Sequence, residues 1–417
     1  MTKKFKLLWI GDAACTSGFA RVTHAILERL RHTWEVSCLA INYHGDPHDR
    51  PYPCYPAALG GDLVGVGRYR SLVDQLQPDV VCMMQDPWHV ARFLALKGEE
   101  RVIAYMPIDA MNQSAAPALN ALNLAIFYTQ YGEDQCRASG FTGPAVIIPH
   151  GVDLDAFAPM GRYVARMMLG MSTTAFVFGQ VNRNQTRKRV DILLYAFAEF
   201  LRQWDGHGAE PYLLLHMNPA ERGGYDLIQL GQALGIASRI ILPAVRGGLQ
   251  EGTMAAIVGV GDEELRAIYS AMDAQINTSV GEGWSLPTME GMACGVPQLL
   301  PHHSALAEWA ADAALFVPCT SRWTTSGGIN TIGAVVDEQQ LVTAMQELYA
   351  RPELRAQLRD AGLKLVTESC FSWDVIAGQF DQLLRRIVAG QRPTENIPTW
   401  LPTEATPEDE VYHAIAR

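Results

Sequence analysis

Two acidic side chains eight positions apart open the chemical reading of this chain. They lie in the string Gly281–Glu282–Gly283–Trp284–Ser285–Leu286–Pro287–Thr288–Met289–Glu290, which continues to Gly295 and Pro297. The pattern reads as a strand end, a glycine turn and a helix opened by Pro287 as its first residue. Backbone N–H groups around Gly283, Trp284, Ser285 and Leu286 would then face outward at a helix N-terminus, a fit for phosphate. Glu282 precedes the turn and Glu290 lies one turn inside the helix, placed to hold hydroxyl groups on either side of a diphosphate. Two glutamates alone would equally describe a capped surface helix.

A second chemical string is Gly179–Gln180–Val181–Asn182–Arg183–Asn184–Gln185–Thr186–Arg187–Lys188–Arg189. Four cations crowd one strand-to-helix loop of a chain that carries 44 acidic and 33 basic residues, a net charge of −11. Arg offers a forked contact to phosphate oxygens and Lys a point charge. Arg183 and Lys188 are the diphosphate candidates, and Arg187 is either an acceptor contact or simply exposed. A third loop, Gly11 to Arg21, is not G-x-G-x-x-G and so disfavours a nicotinamide cofactor. Ser17, Gly18 and Arg21 are candidate contacts there, against a plain turn in which Ser17 caps the helix. Asp86 and Asp109 each follow a strand directly, as do His89 and, further on, His216. His44, His48 and the pair His302–His303 lack a completing carboxylate or cysteine, and no metal site is expected.

These residues need a frame, and the frame is periodic. Short β-rich runs (5–10, 34–42, 80–84, 102–106, 125–128, 145–148) alternate with amphipathic helical stretches such as 20–31, 68–75 and 116–122. After a break at Pro149–His150–Gly151–Val152–Asp153 the alternation restarts at 176–179 and runs to about residue 372. Such alternation predicts an α/β protein with parallel sheets, in two Rossmann-like domains facing a cleft. Their predicted extents are 1–160 and 161–372, with a helix near 373–390 crossing back to the first domain and an extended tail over 391–417. Gly247–Gly261 reads as a Gly-rich loop. The 417 residues are 48% apolar, outside the disordered range, and contain no apolar run long enough to span a membrane. Eight scattered cysteines without a C-x-x-C pair point to reduced thiols and a cytoplasmic location.

The string 282–297 resembles the E-x7-E segment of retaining GT-B glycosyltransferases, the large glycogen-synthase-like group 1 (family 4) type. Its usual form is E-G-F-G-L-P-x-x-E-A-x-A-x-G-x-P. Trp284 stands for the family's Phe, Ser285 for its second Gly and Gly291 for its Ala. The loop 179–189 resembles the family's G-R-x-x-x-x-K-G, with Arg189 in place of the last Gly, and 148–153 resembles its interdomain turn. The resemblance implies a GT-B fold and retaining transfer of a sugar from a nucleoside-diphosphate sugar, with UDP, GDP or ADP as the nucleotide. It makes Arg183, Lys188 and Glu282 catalytic. Gly283, Trp284, Ser285, Leu286, Glu290, His216 and Val245 would bind the donor, and Ser17, Gly18, Arg21, Asp86 and Asp109 would line the acceptor side.

It implies no cofactor besides the substrate and no metal. A His that many members carry after the strand 102–106 is replaced here by Met106–Pro107–Ile108–Asp109, and Asp109 is the substitute candidate. The acceptor stays open among glycans, lipids, small metabolites, proteins and a modified DNA base. DNA would require a basic first-domain groove built from Arg21, Arg68, Arg70, Arg92, Lys97 and Arg101. A nucleotide-sugar epimerase and a noncatalytic sugar-nucleotide-binding protein are the alternative readings, and the oligomeric state stays open.

Overall fold

The computed structural model describes residues 4–243 and 259–391. The first half forms a parallel sheet from β1 (Lys6–Asp12), β2 (Glu35–Ile41), β3 (Cys54–Pro56), β4 (Val80–Met84), β5 (Val102–Met106), β6 (Leu124–Phe127) and β7 (Ala145–Ile147), ordered β3-β2-β1-β4-β5-β6-β7. The second half repeats the plan with β8 (Phe176–Val181), β9 (Pro211–His216), β10 (Ile240–Ile241), β11 (Ala274–Ile276), β12 (Gln298–Pro301) and β13 (Ala314–Val317), ordered β10-β9-β8-β11-β12-β13. Almost every residue of β1, β4, β5, β6 and β8 is buried, as expected of strands covered on both faces by helices.

Strand order reverses between β1 and β4 in one sheet and between β8 and β11 in the other. At such a switch point the loops leaving neighbouring strands diverge and open a crevice. The loops after β1, β4, β8 and β11 carry most of the residues with chemical potential, so the topology alone gathers them.

Helix Trp373–Val388 returns to the first sheet. Its apolar residues Trp373, Ile376, Phe380, Leu383, Leu384 and Ile387 recur at helical spacing and are buried. Phe380 packs against Trp9 and Tyr105 at ring-centroid distances of 6.0 and 5.1 Å. Each such side chain contributes about 1.5–3 kcal/mol by leaving water. On the polar face, Trp34 donates its indole N–H to Asp381 at 2.7 Å and Arg29 pairs with Asp374 at 2.5 Å.

Some elements differ from the sequence reading. Residues 116–122 form a 3-10 turn, Ala116–Ala121, rather than an α-helix. Pro117 removes a donor there, and Asn120 bonds instead to Gly140 and Thr142. The helix after the glycine turn spans Leu286–Ala293, so Pro287 is its second residue. β3 was not foreseen, nor was the antiparallel hairpin of β14 (Cys319–Thr324) and β15 (Ile332–Val336). The hairpin reaches back to the loop after β5, where Met111 and Ile332 exchange two backbone hydrogen bonds of 3.0 Å. Ala244, Val245, most of the Gly247–Gly261 loop and the tail beyond Gln391 lie outside the described residues.

The interdomain turn is closely fitted. Val152 N–H donates to Phe371 C=O at 3.1 Å, and a Cβ on Gly151 would meet that carbonyl at 2.7 Å and the Trp373 ring at 2.8 Å. Gly151→Ala is therefore expected to destabilise the chain by about 1–3 kcal/mol, the usual cost of overpacking. Urea denaturation checks this; an unchanged midpoint would show that the turn yields freely.

Candidate active site

β8 and β11 are hydrogen-bonded neighbours, and the loops that leave them are joined beyond the strands. Val280 N–H donates to Arg187 C=O at 3.0 Å, and Thr278 Oγ1 donates to Lys188 C=O at 3.0 Å. This pairing sets Lys188 Nζ 2.6 Å from Glu282 Oε1, with both residues buried. Ser279 Oγ donates to the same oxygen at 2.7 Å and Asn277 Nδ2 at 3.3 Å. Arg187 stands 4.0 Å from Glu282 Oε2 and 3.4 Å from Asp109 Oδ2. Burial opposes the charge on Glu282, but Lys188 and Arg187 outweigh it and hold the carboxyl down at about 2. Burial and the neighbouring Arg187 lower Lys188 to about 8 despite its partner.

Glu290 lies deeper. Tyr269 donates its hydroxyl to Oε2 at 2.7 Å, and Arg21 of the first domain approaches Oε1 at 3.4 Å while bonding Asp262 at 2.7 Å. Burial pushes Glu290 up to about 7, against the pull of Arg21 and the Tyr269 hydroxyl. Between the two glutamates, Gly283, Ser285 and Leu286 donate their N–H groups to no described residue. They form the outward-facing donor edge of helix Leu286–Ala293. Ser285 adopts φ +78°, a left-handed conformation that favours glycine, and its Oγ bonds Thr288 at 2.9 Å. Trp284 is buried, stacked on Trp309 at 5.0 Å.

The first domain closes directly over this edge. A Cβ on Gly281 would sit 1.8 Å from Asp109 C=O, and one on Gly283 would sit 2.7 Å from Pro107 Cβ. Both glycines are thus required by close approach of the loop after β5. That loop brings Asp109 to Arg187, and burial raises the Asp109 carboxyl. Asp86 follows β4; burial first, and Asp109 second, push its carboxyl up to about 7. Ser17 caps helix Gly18–Leu30 by accepting from Ala20 N–H at 3.0 Å, and it donates to the buried Asp12 at 2.6 Å. Gly18 faces Leu286 across the cleft, 3.5 Å from its Cδ1 to a Cβ built on the glycine.

Other candidates lie outside this cluster. Arg183 is 70% exposed and pairs with Glu221 at 2.5 Å. His216 ends β9 with Nδ1 buried and unpartnered among the described residues, and burial lowers the ring to about 4. His89 likewise has a buried Nδ1 without a partner among the described residues, and burial lowers it. His150 is a linker residue, bonded to Tyr105 Oη at 2.6 Å and held neutral by burial at about 3. Val245 lies outside the described residues. Arg21 and Arg70, offered for a nucleic-acid groove, are each paired with two carboxylates. No group of three or more metal-binding side chains occurs among the described residues. No described helix is long and apolar enough to cross a membrane.

Sequence reasoning underrated Arg187, which stands at the centre of the cluster. It also missed Asn277, Ser279, Tyr128 and Tyr131. Arg187 shares the cationic loop and could have been found there; the others lie outside any motif.

The paired sheets, the crossing helix and the cleft define a GT-B fold. Among solved structures the chain resembles sucrose-phosphate synthase from Thermosynechococcus elongatus, with a TM-score of 0.72, 17% identity, and 93% of this chain and 100% of that one covered. It also resembles Anabaena HepE in complex with UDP and glucose, with a TM-score of 0.68, 16% identity, and 91% and 99% covered. No protein-family model matches the chain. The D-inositol 3-phosphate glycosyltransferase of Actinosynnema mirum is 31% identical over 175 residues, 40% of this chain and 38% of that protein. That of Stackebrandtia nassauensis is 25% identical over 309 residues, 72% and 60% respectively. The chain thus has the GT-B fold and is similar in sequence to named glycosyltransferases. The match spans less than two thirds of either relative.

Two consequences can be measured. Lys188→Ala leaves Glu282 buried without its cation, a loss of about 3–5 kcal/mol, whereas Lys188→Met with Glu282→Gln should regain most of that stability. Denaturation of the three chains checks it; equal stability of the single and double variants would refute the coupling. Glu290 titrates near 7 in the folded chain against an ordinary 4.5, so the folded state holds a proton that the unfolded state has released. That contribution is present below pH 4.5 and is lost as pH climbs through 7. The melting temperature of wild type relative to Glu290→Gln should accordingly fall from pH 4.5 to 8; a flat difference would contradict it.

Proposed function

We propose that the protein is a retaining, nucleotide-sugar-dependent glycosyltransferase. The observation that carries this reading is the buried Lys188–Glu282 pair, set beside Arg187 and the N–H groups of Gly283, Ser285 and Leu286, which bond no described residue. Cations and backbone donors converge on one point of the cleft, where a diphosphate leaving group would need charge stabilisation. Arg183, exposed at the rim, can turn from the half-buried Glu221 to a phosphate. Glu290 is placed for ribose hydroxyls and Glu282 for hydroxyls of the transferred sugar. Gly283, Ser285 and Leu286 supply the backbone edge, Trp284 supports it from below, and His216 and Val245 complete the donor side of the reading.

In the proposed reaction the acceptor oxygen bonds to the anomeric carbon as the bond from that carbon to the phosphate oxygen breaks. The acceptor proton passes to the departing phosphate on the same face, which retains configuration. Catalysis then rests on positioning and charge rather than on a protein nucleophile. Closure of Pro107–Asp109 onto Gly281–Gly283 would exclude the water that otherwise hydrolyses the donor. The nucleotide is UDP, GDP or ADP in this reading, without a further cofactor, and the location cytoplasmic. The relatives are named for D-inositol 3-phosphate; with less than two thirds of their length matched, that name does not set this chain's acceptor.

A panel of UDP-, GDP- and ADP-linked sugars, read by released nucleoside diphosphate, tests the proposal. At least one donor should be consumed, and Arg183→Ala and the stable Lys188→Met, Glu282→Gln pair should each lower turnover by about 10²–10³. NMR of the product should show the donor's anomeric configuration. No release from any donor, unaltered turnover in both variants, or an inverted product would each overturn a stated part of the reading.

A further inference from the structure

The order β1-β4-β5-β6 brings together residues that lie far apart in the chain. Asp12 ends β1, Asp86 follows β4, Asp109 follows β5, and Tyr128 and Tyr131 follow β6. Asp12 is satisfied internally by Ser17 and Asn42. The Asp86 carboxylate, by contrast, accepts no hydrogen bond among the described residues, although it stands at the start of helix Pro87–Leu94. Tyr128 is 2% exposed and its hydroxyl, within electrostatic reach of Asp86, has no partner among the described residues. The Tyr131 hydroxyl is also buried and unpartnered there, within reach of Asp109.

The cations facing this wall are already committed. Arg187 is shared between Asp109 and Glu282, and Arg183 is held by Glu221 and reserved for the donor in the transferase reading. Two buried hydroxyls, each able to donate and accept, lie within electrostatic reach of carboxylates that can only accept when ionised. Their missing partners are hydroxyl groups. A phosphate placed here would add negative charge beside Asp86 and Asp109 with no free cation among these residues, and like charges so juxtaposed cost several kcal/mol.

We propose that this wall is the acceptor subsite and that it takes an uncharged polyol, a sugar or cyclitol without phosphate, through Asp86, Asp109, Tyr128 and Tyr131. The inference rests on the transferase reading and narrows its acceptor. Asp86 is the specificity-determining residue: in its ionised form it accepts from hydroxyl donors and repels anions.

Saturation-transfer NMR on the full chain tests this, with UDP, GDP or ADP present in turn. The probes are glucose and myo-inositol, each against its monophosphate, glucose 6-phosphate and myo-inositol 3-phosphate. Each neutral polyol should bind about tenfold or more tightly than its phosphate. Asp86→Asn should shrink that preference by about fivefold or more, whereas Tyr131→Phe should weaken each polyol and its phosphate alike and leave the preference in place. Melting temperature confirms that each variant is folded; should Asp86→Asn not fold, Asp109→Asn carries the same expectation. Phosphates that bind as well as the polyols, polyols that do not bind, or a preference indifferent to the folded Asn variant would overturn the proposal. A polyol preference without nucleotide release from any donor would uphold this subsite chemistry and sink the transferase reading instead.

Discussion

The buried contact between Lys188 and Glu282 governs the second domain's contribution to the cleft. Removing two ions from water costs several kcal/mol each, and one Coulomb contact does not by itself return that sum. The surroundings supply the remainder: hydroxyl and amide donors from Ser279 and Asn277, and the second cation of Arg187. Those groups must be delivered within hydrogen-bond reach by two loops that are 90 residues apart in sequence at the Thr278–Lys188 bond. Direct pairing of β8 with β11 makes this feasible, because the loops start as neighbours. The pair is a poor device for stability and a good one for fixing position.

Position matters because the first domain rests on the same loops. Gly281 and Gly283 admit Asp109 and Pro107 at distances that no side chain would allow. Three further contacts hold the domains in that relation. Arg21 reaches Asp262 and Glu290, the hairpin of β14 and β15 bonds Met111, and Trp373 packs with His150 at the linker. The conformation described is a closed one, with the acidic wall and the cationic loop brought face to face.

How much of this was legible in the sequence follows from how each part is built. The alternation of strands and helices is carried by local periodicity and appears in the structure, as does a helix over Trp373–Val388. The hairpin was not legible: Cys319–Thr324 alternates weakly and its tip is a Thr- and Gly-containing turn without a strong strand signature. The helix expected at 116–122 shrank to a 3-10 turn because tertiary bonds from Asn120 overrode a short apolar pattern. Within the site, Glu282, Lys188 and Glu290 stood out because each sits in a contiguous string. Arg187 was undervalued because a cation in a run of cations carries no mark of which one turns inward. Ser285 shows the reverse: its substitution for the family's glycine was readable, yet only the φ of +78° shows what glycine would do there.

The two walls of the cleft differ in legibility for a physical reason. A diphosphate makes the same demands wherever it is bound: several N–H donors and cations within a few ångströms. One helix N-terminus and its two adjoining loops can satisfy them, which compresses the requirement into short strings. An acceptor wall has no such common denominator. Here it is assembled from the ends of β1, β4, β5 and β6, so that Asp109 and Tyr131 come within electrostatic reach only because the sheet places β5 beside β6. Each residue alone is an ordinary turn Asp or core Tyr. Their meaning arises from what they lack together, since Asp86 and the buried Tyr128 hydroxyl have no hydrogen-bond partners among the described residues. A buried polar group left unpaired costs free energy in the folded chain, and a ligand that pairs with it recovers that cost on binding. On this account the acceptor wall's specificity is written in the unsatisfied groups rather than in a motif, and only coordinates can display it.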